Sequence, residues 1–227
     1  MSGKLPTLAV IGGSGALGGG LAARWAGAGY PVILGSRTAE KAAAAAAAIA
    51  PAPGGPAASG MDNRSAAAAG KIVVVTVPYA SHDAILAEIR EAVQGKIVVD
   101  TTVPLVPPKV ATVQLPPAGS AALVAQRFLG THVRVVSAFQ NVAAHKLHAG
   151  EAIDCDVLVT GDDRGARETV AALAAAIGLR GIEAGPLANS VAAEALTSIL
   201  IGINRRYKVD GAGIRITGAL ATAPAGS

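Results

Sequence analysis

The feature that most constrains the fold is a run of glycines directly after a short apolar segment near the start of the chain. Residues 8–11 are Leu-Ala-Val-Ile, which predicts a buried strand, and residues 17–28 have helical character. Between them, Gly13, Gly15 and Gly18 have the spacing G-x-G-x-x-G. A strand, such a loop and a helix in this order predict the first unit of a Rossmann-type domain, in which the loop receives the pyrophosphate of a dinucleotide.

The glycines have separate physical roles in this interpretation. The first permits the tight turn, the second lets the backbone reach the pyrophosphate, and the third lets helix and strand pack closely. The free N–H groups at the start of the helix favour an anion there. The alternative is a glycine-rich turn without a ligand. We predict that the following loop residues bind the dinucleotide: Gly13, Ser14, Gly15, Ala16, Leu17 and Gly18.

The end of the second predicted strand, residues 32–34, distinguishes NAD from NADP. An NAD site usually has an acid there, whereas this chain continues Gly35-Ser36-Arg37. A serine hydroxyl and an arginine would hold a 2′-phosphate, and Lys41 would add positive charge one helical turn later. These residues predict that the bound cofactor is NADP(H). The alternative is that Arg37 and Lys41 are ordinary surface cations that bind no ligand. Thr76, Val77 and Pro78 end the strongest predicted strand and should form the wall beside the nicotinamide ribose.

The rest of the chain alternates strands with helices, which predicts an α/β Rossmann-type fold with a mostly parallel, doubly wound sheet. Predicted strands cover residues 8–11, 32–34, 72–77, 97–99, 133–137, 157–160 and 179–184. Predicted helices cover residues 17–28, 38–49, 63–69, 81–93, 120–129, 163–177 and 187–206. We expect residues 1–186 to form the NADP-binding domain. Residues 187–227 should form a small C-terminal helical cap, with a tail that is extended or a hairpin over residues 211–217.

Composition narrows the possible partners. The 227 residues are 52% hydrophobic, and the net charge of +4 is scattered along a chain with few aromatic residues, which argues against nucleic-acid binding. No apolar stretch has the length and glycine-poor character of a membrane span. Cys155 is the single cysteine, so we expect a cytoplasmic protein. Its neighbours Asp154 and Asp156 should raise its pKa.

No catalytic constellation is recognisable in the sequence. The chain has neither a G-x-S-x-G elbow nor a Tyr-x-x-x-Lys pair, and His145 with His148 is weak support for a metal, so we predict neither catalytic nor metal residues. Such a chain suits hydride transfer between two redox cofactors, which needs little proton transfer. The basic residues Arg205, Arg206, Lys208 and Arg215 would then bind an anionic substrate tail, unless they simply face water.

Together these segments resemble the NADPH-dependent reductases of coenzyme F-420, an 8-hydroxy-5-deazaflavin. The resemblance covers nearly the whole chain and extends well beyond the nucleotide loop. It includes Gly12 to Gly18, Gly35-Ser36-Arg37, Thr76-Val77-Pro78, Pro104-Leu105-Val106, Gly161-Asp162-Asp163, Ala184-Gly185-Pro186-Leu187, Asn189-Ser190, Leu196-Thr197 and Gly213-Ile214.

The resemblance implies direct hydride transfer between the nicotinamide of NADP(H) and the deazaflavin as co-substrate, in a homodimer. It places Ser14, Ser36, Arg37 and Lys41 at NADP, and Pro78 and Val142 beside the nicotinamide. Substrate-binding residues would be Gln140, Leu187, Asn189, Thr197, Arg205 and Arg215. Gln140, Val191 and Ala195 replace a histidine, an arginine and a serine of the family. An NADPH-dependent flavin or other small-molecule reductase and a non-catalytic NADPH sensor are the alternatives.

Overall fold

The computed structural model describes residues 4–150 and 152–218, which contain one eight-stranded sheet. The strands are β1 (Leu8–Ile11), β2 (Val32–Ser36), β3 (Ser59–Asp62), β4 (Ile72–Val75), β5 (Ile97–Asp100), β6 (Arg134–Ser137), β7 (Asp156–Gly161) and β8 (Arg180–Glu183). Their spatial order is β3-β2-β1-β4-β5-β6-β7-β8. The first six strands are parallel and have the Rossmann order 3-2-1-4-5-6, which confirms the predicted fold class.

Helices cover both faces of the sheet. They are α1 (Ala16–Gly27), α2 (Ala39–Ala47), α3 (Asn63–Ala69), α4 (His82–Ile89), α5 (Ala121–Leu129), α6 (Ala144–His148), α7 (Arg164–Ala175) and α8 (Ser190–Tyr207). Short 3-10 turns at 79–81, 90–93 and 187–189 adjoin α4 and α8. Four helices have an N-cap side chain that accepts from the backbone three residues on: Thr38, Asp62, Ser120 and Asp163.

The core is divided between the two faces. Trp25 of α1 is fully buried on one face, donates from Nε1 to the carbonyl of Leu173 at 2.9 Å, and meets Phe139 edge-on at 5.7 Å. Phe139 has a φ of 71°, in the left-handed region that residues other than glycine rarely adopt. This backbone turn directs the chain after β6 across the carboxyl edge of the sheet.

The sequence prediction missed one strand and one helix, and one predicted helix is shorter than expected. β3 was missed, because Ser-Gly-Met-Asp has little strand propensity and is stabilised by parallel pairing with β2. α6 was also missed, and the helix predicted over 81–93 ends at Ile89 and continues as a 3-10 turn. The mostly parallel sheet is as predicted: among the described strands only β6 and β7 pair antiparallel, and β8 again pairs parallel with β7.

The tail after α8 bends at residues 210–211 and has no regular secondary structure over residues 212–217, which hydrogen-bond to β7 and β8. The carbonyl of Ile214 accepts from the backbone N–H of Asp156 at 2.8 Å, and the carbonyl of Ile216 accepts from Arg180 at 2.9 Å. Residues 219–227 of the expected cap lie outside the described residues.

Candidate dinucleotide site

A cavity of about 280 Å³ lies at the carboxyl ends of β1, β2 and β4. The strand order reverses between β1 and β4, and this switch point is where open α/β sheets bind their ligands. Its lining residues come from the glycine loop, the ends of β2 and β4, and the starts of α2, α3 and α4: Gly12, Ser14, Gly15, Ser36, Arg37, Lys41, Asn63, Thr76, Val77, Pro78, Ser81 and Ile85. The structure therefore brings together eight of the predicted cofactor residues.

The glycine loop has the close approaches that the motif requires. Gly12, which the sequence interpretation left outside the three-glycine motif, makes the left-handed turn with a φ of 81°. A Cβ on Gly18 would lie 2.3 Å from Oγ1 of Thr76, so this glycine lets α1 pack on the end of β4. A Cβ on Gly13 would lie 2.6 Å from Leu34. Gly13 and Gly18 thus serve packing rather than line the cavity.

The N-terminus of α1 faces this cavity. Gly15 is its N-cap and provides no side chain to accept from the first turn, and no acid lies in that turn. The first N–H groups of a helix have no partner within the helix, and they favour an anion. A pyrophosphate fits these donors.

Two cations and a hydroxyl adjoin the end of β2. Ser36 is buried there, while Arg37 and Lys41 are exposed and form no ion pair within the described residues. Asp62, whose strand position pairs with Ser36, uses its carboxylate to cap α3 by accepting from Ser65 at 2.9 Å. That hydrogen bond holds the pKa of Asp62 below its usual value. The arrangement suits a phosphate group beside Arg37.

Asn63, Ser81 and Ile85 also line the cavity, and the sequence analysis missed them. Asn63 follows β3, a strand that the sequence did not reveal. Ser81 and Ile85 lie at the start of α4, and the order of the strands in the sheet is what brings this helix to the cavity. No sequence signal singled them out.

The structure keeps three other predicted residues away from the cavity lining. Ala16 and Leu17 belong to the first turn of α1, and Leu17 packs against the core. Val142 is buried in the same core cluster. Val142 is not among the residues that line this cavity, and its place beside the nicotinamide stays a prediction.

Gln140 and Thr197 meet at the carboxyl edge of β6, where α8 crosses it. Gln140 donates from Nε2 to the carbonyl of Asp100 and to Oγ of Ser137, both at 2.8 Å. Thr197 donates from Oγ1 to the carbonyl of Gln140 at 2.9 Å. Asn141 adds a hydrogen bond to the carbonyl of Ala193 at 2.9 Å. These bonds join α8 to the segment that follows β6.

The remaining predicted substrate residues do not converge on that point. Leu187 is fully buried beneath α5, so its side chain is part of the core rather than of an open site. Asn189 donates to the carbonyl of Ala184 at 2.7 Å, beside the end of β8. Arg215 pairs with Asp154, and Arg205 is exposed near the end of α8. The basic residues are thus not one cluster, because Arg215 lies beside β7.

A buried polar cluster lies next to the cavity. His82 at the start of α4 has Nε2 at 2.7 Å from Oδ2 of Asp100, and both side chains are buried. Burial alone lowers the pKa of His82, but the hydrogen bond and charge of Asp100 raise it overall. Glu194 of α8 accepts from the backbone N–H groups of Ala121 and Ala122 at 2.7 and 3.1 Å. Burial raises the pKa of Glu194 to about 8.

Two smaller predictions can also be checked. The pKa of Cys155 is raised, as expected, although burial rather than the neighbouring acids is the larger cause. His145 pairs with Asp210 and His148 contacts the carbonyl of Ala16, so the two histidines have different partners. The described residues contain no group of three or more side chains that could hold a metal.

A larger groove of about 580 Å³ lies at the opposite edge, around Arg134 at the start of β6 and Asp162 after β7. Ligands of open α/β sheets bind at the carboxyl ends of the strands, so we assign the dinucleotide to the smaller cavity. Fold and cavity together define a dinucleotide-binding protein of the Rossmann class.

Comparison with known proteins gives the family. The family described as "NADP oxidoreductase coenzyme F420-dependent" matches residues 7–104. The chain is 45% identical to the "F420-dependent NADP reductase" of Methanothermobacter thermautotrophicus, over 92% of this chain and 94% of that protein. It is 41% identical to the protein of the same name from Methanocaldococcus jannaschii, over 92% and 97%.

A solved structure from an Arthrobacter species, provisionally assigned as an F420-dependent NADP reductase, agrees in fold. It has a TM-score of 0.78 and 28% identity, and the match covers 93% of this chain and 99% of that one. The chain belongs to the coenzyme F-420-dependent NADP oxidoreductase family, which confirms the resemblance drawn from its motifs.

Proposed function

We propose that this protein is an oxidoreductase that transfers a hydride directly between NADP(H) and coenzyme F-420. The observation that carries the proposal is the extent of identity with the two archaeal reductases. The alignments with these reductases cover 92% of this chain. The nicotinamide would supply or accept the hydride, and this chain's residues would orient the two rings.

The cavity at β1, β2 and β4 fits NADP(H). Its uncapped helix N-terminus suits the pyrophosphate, and Arg37 with Lys41 suits the 2′-phosphate. Thr76, Val77 and Pro78 lie on the path from this phosphate end toward β5, where the nicotinamide would extend.

The deazaflavin would lie against the junction of Gln140 with Thr197. This junction adjoins Asp100 at the end of β5, the next strand after β4 in the sheet, and it carries two residues that we predicted for the second ligand. Arg205 extends beyond it on the same helix and is free to approach an anionic side chain. Leu187 and Asn189 would act only by supporting the start of α8.

The test is a steady-state comparison of F-420 with FMN as acceptors, using NADPH as donor and following the loss of nicotinamide absorbance. We expect a higher kcat/KM for F-420. A higher kcat/KM for FMN would mean that the second substrate is a flavin rather than the deazaflavin. Absence of turnover with either would favour the NADPH sensor.

We also propose that the protein is a cytoplasmic homodimer that associates through α8. Contrary to the expectation from the sequence, residues 187–207 are long and apolar enough to cross a membrane by length and composition alone. Only 33% of an 18-residue window of this segment is buried inside the domain. Ile199 on this helix is 49% exposed. A second copy of the chain would cover this apolar face, as the apolar cores of homodimer interfaces do. The buried bonds of Glu194 to α5 would keep the opposite side of α8 on the domain.

A further inference from the structure

One buried acceptor in the cavity has no role in the fold. Asn63 begins α3 and is 2% exposed. Its Nδ2 donates to Oε2 of Glu88 at 3.1 Å, whereas its Oδ1 is buried and has no hydrogen-bond partner among the described residues. A buried carbonyl oxygen without a donor is unfavourable, so most such atoms in proteins are paired. The residue itself lines the dinucleotide cavity, so a bound ligand is the candidate donor for this buried oxygen.

The orientation of the amide follows from its partner. An asparagine can exchange its oxygen and nitrogen by a half-turn, but a carboxylate only accepts hydrogen bonds. Glu88 must therefore face the NH₂ group, which directs Oδ1 away from α4. The oxygen lies 3.2 Å from the position that a Cβ on Gly35 would occupy. Gly35 in turn accepts from the N–H of Gly12 at 3.0 Å.

Asn63 Oδ1 thereby lies against the end of β2, which is hydrogen-bonded to the start of the glycine loop. In Rossmann domains the end of the second strand is where the adenosine ribose of the dinucleotide lies. In NADP(H), the 2′ position of this ribose carries a phosphate, whose oxygens accept hydrogen bonds at neutral pH. The 3′-hydroxyl is then the one donor that the ribose retains.

We propose that Asn63 is a cofactor-binding residue whose Oδ1 accepts a hydrogen bond from the 3′-hydroxyl of the adenosine ribose, with Glu88 fixing the amide. This inference rests on the proposed NADP(H) cavity. Arg37 would bind the 2′-phosphate of the ribose, because a cation suits a phosphate. Asn63 would bind the neighbouring 3′-hydroxyl, because a carbonyl oxygen accepts from a hydroxyl. A purely structural amide that only ties α3 to α4 is the competing explanation.

The test is a calorimetric titration with adenosine 2′,5′-bisphosphate and with its 3′-deoxy analogue. Wild-type protein should bind the 3′-deoxy compound about 3- to 10-fold more weakly, the effect of one neutral hydrogen bond. In Asn63→Ala the two compounds should bind equally. Glu88→Ala, which keeps the acceptor but frees the amide to turn, should give a smaller difference than wild type. Gln94→Ala removes an amide outside the cavity and should behave as wild type.

The wild-type comparison is informative even if Asn63→Ala fails to fold. Equal binding of the two compounds by wild type would overturn the role of Asn63, and so would an unchanged ratio in Asn63→Ala. The NADP(H) cavity itself is tested separately by comparing adenosine 2′,5′-bisphosphate with adenosine 5′-monophosphate. If wild type does not prefer the bisphosphate, both proposals are overturned. If wild type does prefer the bisphosphate but binds the 3′-deoxy analogue equally well, only the role of Asn63 is overturned.

Discussion

Nε2 of His82 lies 2.7 Å from Oδ2 of Asp100, and this pair connects the start of α4 to the end of β5 with both side chains buried. The other carboxylate oxygen of Asp100 accepts from the backbone N–H of Thr102 at 2.9 Å. The carbonyl of Asp100 accepts from Gln140. One buried aspartate thus links the wall of the dinucleotide cavity to the segment that supports α8.

We expect His82→Ala to lower the free energy of unfolding by about 3 kcal/mol, because it leaves the carboxylate of Asp100 buried without its partner. The measurement is urea unfolding followed by circular dichroism. His132→Ala is the matched control, since His132 is an exposed histidine and should change stability by about 0.5 kcal/mol at most. Similar losses in the two variants would show that the buried pair has no special importance.

Glu194 should make stability fall as pH rises. Its pKa is about 8 in the folded protein against 4.5 as a reference, so the folded state binds more protons than the unfolded state between these values. The stabilisation is complete below pH 4.5 and is lost as pH rises through about 8. The raised pKa of His82 acts in the same direction.

The slope that Glu194 contributes is at most about 1.4 kcal/mol per pH unit. We expect Glu194→Gln to flatten the dependence of the unfolding free energy between pH 5 and pH 8 by about 1 kcal/mol per unit. Glu168→Gln, at a side chain that is 51% exposed, should retain the wild-type slope. A Glu194→Gln slope equal to that of wild type would mean that Glu194 is already ionised at pH 5.

Arg37→Ala should weaken the binding of NADPH about tenfold and leave NADH nearly unchanged. The loss of a charge-assisted phosphate contact costs about 1.5–3 kcal/mol, and NADH lacks this phosphate. Dissociation constants from fluorescence titration give the comparison. Arg90→Ala removes an exposed arginine that stacks on Phe128, outside the cavity, and should affect neither cofactor. Equal weakening of NADPH and NADH would contradict the assignment of Arg37 to the 2′-phosphate.

Ile199→Glu should convert the proposed homodimer to a monomer, because a charge in a desolvated apolar interface is unfavourable. Light scattering coupled to gel filtration measures the mass directly. Leu5→Glu changes a residue that is 40% exposed, away from α8, and should leave the dimer intact. A wild-type protein that is already monomeric at micromolar concentration would refute the dimer.

The sequence by itself determined the nucleotide-binding half of the molecule. The strand, glycine loop and helix from Leu8 to Gly27 are local, and each depends on periodicity or on the small size of glycine. Arg37 and Lys41 follow directly from the end of β2, so their position relative to the loop was predictable. The caps at Thr38, Ser120 and Asp163 begin helices that were predicted to within a few residues.

Only the tertiary structure decided which distant residues meet. β3 exists because it pairs with β2 and because Gly60 lets α2 approach: a Cβ there would lie 2.2 Å from the carbonyl carbon of Ala42. Leu187 was predicted at the second site, yet it completes the core beneath α5. Glu194 binds backbone N–H groups that are 72 and 73 residues away in the chain. Local propensity carries no information about such pairs, because their energy arises only when packing removes water from around both partners.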